Sequence, residues 1–194
     1  MKTRFGFVSN SSSSSFVVGF PEDFNFTEDS VHDYFFGQST DYFQPWDWSS
    51  RISSRDAAKS LYNHIMQQIE VRQKTDDESR EDVESFNESI LSVVLEEIDW
   101  APEDVWDRVD RLRGDDFYKM SFEERNDLYE QCTVEYKQEL AEFMKTLPSK
   151  LESKFGPNSQ LFFFNYSDND GSFGSTMEHG GIFDRVPHFY QSNH

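Results

Sequence analysis

The sequence predicts an α+β fold: a small, mostly antiparallel sheet built from both chain ends, with a four-helix insertion in the middle. Aromatic and β-branched runs of strand length stand near both ends, within residues 4–20 and 161–166. Between 54 and 147, apolar residues recur at helical spacing instead. Large rings fill the core: 16% of the 194 residues are aromatic, although only 36% are hydrophobic. One domain over 1–194 is expected, with a strand and irregular aromatic segment at 1–53, a helical segment at 54–155 and a strand and turn segment at 156–194.

Each element has its own warrant. In residues 4–20, two apolar patches flank Ser9-Asn10 and the five serines Ser11 to Ser15, which suits a strand or hairpin with a Ser-rich bend. Residues 21–53 carry Phe24, Phe26, Tyr34, Phe35, Phe36, Tyr42, Phe43, Trp46 and Trp48 among turn residues, with room for one short helix around Glu28 to Phe36. A helix over 54–73 follows from Ser53 with Asp56 at its start and from Ala58, Leu61, Tyr62, Ile65 and Ile69 on one face. Val83, Phe86, Ile90, Val93, Val94 and Ile98 predict a second helix over 78–99, paired with the first as an antiparallel hairpin. Pro102 and Gly114 bracket a short third helix that puts Val105, Trp106, Val109 and Leu112 on one face. Ser121 and Glu124 open a fourth, whose stripe runs through Leu128, Cys132, Tyr136, Leu140, Phe143 and Leu147 until Pro148 stops it. Beyond Gly156-Pro157 the pattern becomes extended: a strand at Leu161 to Tyr166, a turn at Asp168 to Gly171, and a last strand near Val186 to Gln191.

Charge excludes more than it identifies. The 18 basic and 37 acidic residues leave a formal charge of −19, which repels nucleic-acid phosphates and anionic lipid. Neither direct nucleic-acid binding nor membrane association is expected. Cys132 stands alone, so it forms no internal disulfide and no Cys-rich zinc site, and its place on a helix stripe reads as core. No apolar run approaches the roughly 18 residues of a membrane span, and the first residues lack a signal peptide's apolar stretch. A cytoplasmic location is the expectation.

The stretch Gly6-Phe7-Val8-Ser9-Asn10-Ser11 to Ser15-Phe16 resembles an N-terminal signature of assorted uncharacterised phage and bacterial proteins. Some members of that group resemble this chain again at Asp168 to Gly171 and at Glu178-His179-Gly180. The resemblance implies a phage or mobile-element setting, and a cytoplasmic one in the host cell. It carries no activity and no catalytic residue.

Residues 76–110 hold 14 acidic and two basic side chains, most of the chain's acidic excess. Carboxylates on outer helix faces present a charge row to a basic groove as DNA does. The expected function is therefore a non-enzymatic acidic interaction protein that needs no cofactor and occupies a basic surface on a host nucleic-acid-handling or defence protein. Its contacts would be Glu96, Glu97, Asp99, Glu103, Asp104 and Asp107, with Trp46 and Trp48 as aromatic anchors. The alternative is a small hydrolase or transferase whose serines Ser11 and Ser13 cradle a phosphate while His179 and His188 serve as acid and base, or join Glu178 as metal ligands. The segment around Asp168 fails as a calcium loop, because Tyr166 and Met177 fall where carboxylates are required. Gly171 to Ser175 likewise lacks the Gly-x-Ser-x-Gly spacing. Oligomeric state is open.

Overall fold

Eight successive residues with seven of them buried, Ser13–Phe20, form strand β1, and the rest of the molecule is organised around it. The computed structural model describes residues 13–43, 51–74, 77–98, 103, 105–113, 119–167 and 171–192. After β1 come α1 (Glu28–Phe36), the two-residue strands β2 (Tyr42–Phe43) and β3 (Ile52–Ser53), α2 (Ser54–Gln73), α3 (Asp77–Glu97), α4 (Val105–Arg113) and α5 (Phe122–Phe155). Strand β4 (Gln160–Ser167), helix α6 (Gly171–His179), a 3-10 turn at Phe183–Arg185 and strand β5 (His188–Ser192) complete it. The main sheet has the order β4-β1-β5 with both pairings antiparallel, so N- and C-terminal strands do meet.

Strand alternation sorts the core into two. Phe16, Val18 and Phe20 face one way and join Phe162, Phe164 and Tyr166 under α1, α2 and the 3-10 turn. Val17 faces the other way and joins Phe189 with Val93 and Val94 of α3 and Phe143 and Leu147 of α5. The helices are thus divided between the two faces of the sheet. The expected hairpin bundle is corrected on this point, since α2 and α3 are adjacent in sequence yet bury their stripes on opposite sides of β1. Gly19 belongs to the α5 side, where a Cβ would lie 2.7 Å from Cβ of Phe155; only a glycine lets the end of α5 cross the strand there.

Both sheet edges are closed by side chains. Gln68 of α2 donates to the Phe163 carbonyl at 2.6 Å and accepts from its amide at 3.1 Å, while Arg72 donates to the Leu161 carbonyl at 2.7 Å. On the opposite edge the Tyr190 amide donates to Glu97. Occupied edge groups do not template another strand.

Caps behave as the sequence predicts. Ser121 and Glu124 form a reciprocal capping box on α5, and Ser53 caps α2 by accepting from the Asp56 amide. Thr27 and Ser30 form a further box on α1.

Three expectations are corrected. Pro148 lies inside α5 instead of ending it. A proline there costs a hydrogen bond, roughly 3 kcal/mol in an isolated helix, but continuing the helix places Leu151 and Phe155 against the second core beside Leu147. Residues 171–179, expected as extended and turn structure, are helical despite two glycines, because Met177 and Thr176 are drawn into full burial. Ser13, Ser14 and Ser15 are strand, not bend. Buried Ser14 and Ser15 each find a side-chain partner, Glu178 for the first and Asn165 for the second, so their hydroxyls enter the sheet without an orphaned group. Pro102, Gly114, the turn residues Asp168 to Asp170 and His194 lie outside the described residues.

Candidate functional site

Two regions hold the side chains singled out from the sequence. The first is the outer surface of α3, α4 and α5. Arg108 is drawn between α4 and α5 and is nearly fully buried. Its guanidinium donates to both carboxylate oxygens of Glu139 at 3.0 and 2.5 Å, and to the Glu103 carbonyl at 2.7 Å. Arg111 grips the Glu103 carboxylate through two nitrogens, at 2.7 Å for the shortest. These bonds hold the Glu139 and Glu103 carboxyls below the usual range, each chiefly through the hydrogen bond from its own arginine.

Arg108 takes the inward position that the apolar pattern assigns to Trp106 and Leu112. Both are instead exposed, Trp106 at 61%, while Val109 of the same helix is buried. The indole lies against Tyr129 of α5, ring centroids 5.0 Å apart, and Phe122 at the start of α5 is 79% exposed. An aromatic pair therefore stands in the acidic surface. Its sequence signal was an arginine with acidic neighbours on an otherwise apolar helix stripe.

The predicted contacts fare differently from one another. Glu96 and Asp107 are exposed. Glu103 is committed to Arg111, and Glu97 is committed twice, to Lys154 at 2.8 Å and to the β5 edge amide. Asp99, Asp104, Trp46 and Trp48 lie outside the described residues.

The second region is a cleft of about 260 Å³ between the end of α6, the 3-10 turn and β5. Glu178, His179 and His188 all line it, together with Phe16, Asp184 and Tyr190. Ser11 lies outside the described residues, Ser13 is half-buried at the start of β1, and it is Ser14 that reaches this place. Its hydroxyl donates to Glu178 Oε1 at 3.0 Å, 3.4 Å from the Tyr190 hydroxyl. The Glu178 side chain is wholly buried, and Oε2 has no hydrogen bond, with His179 Nε2 3.5 Å away. His188 donates from Nδ1 to the Val186 carbonyl at 3.0 Å.

This order of groups constrains the chemistry. A carboxylate, not an imidazole, accepts the hydrogen bond of the serine, so Ser14 does not form a serine–histidine pair. A phosphate entering the cleft would meet two carboxylates and no Lys or Arg among its lining residues. Arg185, next to Asp184 in the chain, packs over the rings of Phe36 and Phe43 instead. Among the described residues no group of three or more His, Cys, Asp or Glu is arranged to hold a metal ion. None of the described helices is long and apolar enough to cross a membrane. Cys132 is fully buried in α5, as its stripe position predicts. Comparisons of the chain with family models, with curated proteins and with solved structures return no match.

Proposed function

We propose that this chain is a non-enzymatic acidic interaction protein, of phage or mobile-element type, that occupies a basic surface on a host nucleic-acid-handling or defence protein. The observation that carries this reading is the exposed Trp106 and Tyr129 pair set among exposed carboxylates of α4 and α5. Asp107, Glu123, Asp127 and Glu130 are exposed on these two helices, and Glu96 is exposed near the far end of α5, beside the Glu97 and Lys154 pair. A row of carboxylates supplies long-range attraction to a basic groove and competes with nucleic acid for it. Exposed rings supply the short-range contact area that charge alone does not, since aromatic anchors dominate interface energetics. The carboxylates available for this are the unpaired exposed ones, whereas Glu97 and Glu103 hold the fold together.

Affinity capture from bacterial lysate at low and at high salt tests the reading, with Glu96→Gln/Asp107→Asn and Trp106→Ala variants beside the unaltered protein. A basic nucleic-acid-binding protein should be retained at low salt and released at high salt. The charge variant should release it at lower salt, and the tryptophan variant should retain less of it at every salt concentration. Retention of the same partner by both variants, at every salt concentration, excludes this surface.

A further inference from the structure

Helices α3 and α5 share a surface that neither the Trp106 pair nor the cleft beneath α6 uses. Ile90, Leu91 and Val94 of α3 face Met144, Leu147 and Leu151 of α5 across a groove of about 260 Å³. Val94 and Leu147 are its buried floor and belong to the second core. Ile90, Leu91 and Leu151 are only half-buried and Met144 is 42% exposed, so the walls are open to a ligand.

The shape restricts the occupant. Asn87 to Val94 and Met144 to Leu151 each cover two helical turns, about 10 Å. The volume falls short of the roughly 300–1,000 Å³ of small-molecule sites and suits apolar side chains projecting from a larger partner. Both walls are helices whose backbone groups bond internally, so an extended strand laid between them would find no ladder for its own amides and carbonyls. A helix brings its backbone bonds with it, and its apolar residues at i, i+4 and i+7 fill a two-turn groove.

Charge sets the flanks of that helix. Glu88 lines the groove, Glu84 precedes it by one turn, and both are exposed. Among the described side chains of α3, every charged one is acidic. Across the groove Lys145, next to Met144 in the chain, is paired with Glu142 at 2.5 Å. From these we infer that the groove docks an amphipathic helix of a partner protein, its apolar stripe seated between α3 and α5 and its Lys or Arg flank set against Glu84 and Glu88. The groove lies about 22 Å along α5 from Tyr129, so this proposal and the reading of the Trp106 surface can fail separately.

Titration of the ¹⁵N-labelled full-length protein with acetyl-KLAKKLAKLAKKLA-amide tests the inference, with acetyl-KAAKKAAKAAKKAA-amide as a peptide of equal charge and no apolar stripe. The first should shift the amide resonances of Leu91, Val94, Met144 and Leu151 saturably, and the second should bind about tenfold more weakly. Met144 and Glu88 are exposed, so their variants keep the fold. Met144→Gln, which makes one wall polar without changing the charge, should weaken binding about fivefold, and Glu88→Gln about twofold. Absence of saturable shifts, shifts confined to other residues, equal affinity for the two peptides, or unchanged affinity in Met144→Gln overturns the inference. So does a dimer in light scattering that Met144→Gln abolishes, because the occupant is then a second copy of this chain.

Discussion

The two faces of β1 are closed by different materials. On one, Phe16 stacks on Phe183 with centroids 4.0 Å apart, and Phe183 meets Phe35, Phe164 and Tyr166 in turn. Short elements contribute rings there, from the nine residues of α1 and the three of the 3-10 turn, beside the aliphatic stripe of α2. On the other, Val17, Val93, Val94 and Leu147 stand beside Phe143 and Phe189, and the area is covered by long helices, 21 residues in α3 and 34 in α5. Rings bury much area per residue and tolerate irregular backbone around them, whereas aliphatic side chains need the repeated spacing of a helix to build the same contact.

Three changes break or sharpen this comparison. Phe183→Ala should be the most damaging, because it removes the ring shared by four aromatic neighbours and leaves a cavity; a loss of about 4 kcal/mol in denaturant unfolding is expected. Unfolding at the original midpoint would show that the aromatic face is redundant. Gly19→Ala attacks the other face through overpacking against Phe155, with an expected loss of about 2 kcal/mol. If this variant keeps its stability, α5 is free to move away from the strand. The third effect is the smallest and depends on pH. His64 is hydrogen-bonded to the Tyr166 hydroxyl at 3.0 Å, and burial lowers its pKa from 6.5. Burial also raises that of Tyr166, so both groups are held neutral at neutral pH. For His64 the folded pKa lies below the unfolded one, so the unfolded chain takes up a proton first as the solution is acidified. Stability is therefore whole above about pH 6.5 and declines as pH falls toward the depressed value. Denaturant midpoints across this interval should fall with acidity in the natural protein and less steeply in His64→Gln.

The α4 and α5 pair contrasts with both faces. Here the contact is made by Arg108 with Glu139 and Glu103, and the large apolar residues Trp106 and Phe122 are left in solvent. Periodicity located α4 correctly and placed Val109 inside, but Trp106 and Leu112, which it put on the same inner face, are exposed. A pattern of apolar positions cannot register that Glu135 and Glu139 of α5 will draw an arginine inward, since that attraction exists only once α5 is in place.

The same limit explains the candidate sites. Glu178, His179 and His188 were legible as a cluster because they are close in the chain, and they do line one cleft. Ser14 was hidden among identical neighbours; its partner is 164 residues away, and which serine faces α6 is decided by the register of β1 against β4 and β5. One residue of slippage would exchange Ser14 for Ser15. Glu97 read as surface charge for the converse reason: its role depends on a strand edge that no local pattern announces.

What the amino-acid sequence determines by itself is local: the helices α2 and α3, the capped start of α5 at Ser121, the strand character of β1 and β4, and the acidic excess. These follow from side-chain spacing, hydrogen bonds spanning three residues, and composition, all of which are present before folding. The tertiary structure decided how the helices divide between two sheet faces, that α5 continues through Pro148, that 171–179 is helical, and which carboxylates stay free. Each of those outcomes sets a modest local cost against burial or charge pairing with residues distant in the chain, and only the assembled fold supplies the second quantity.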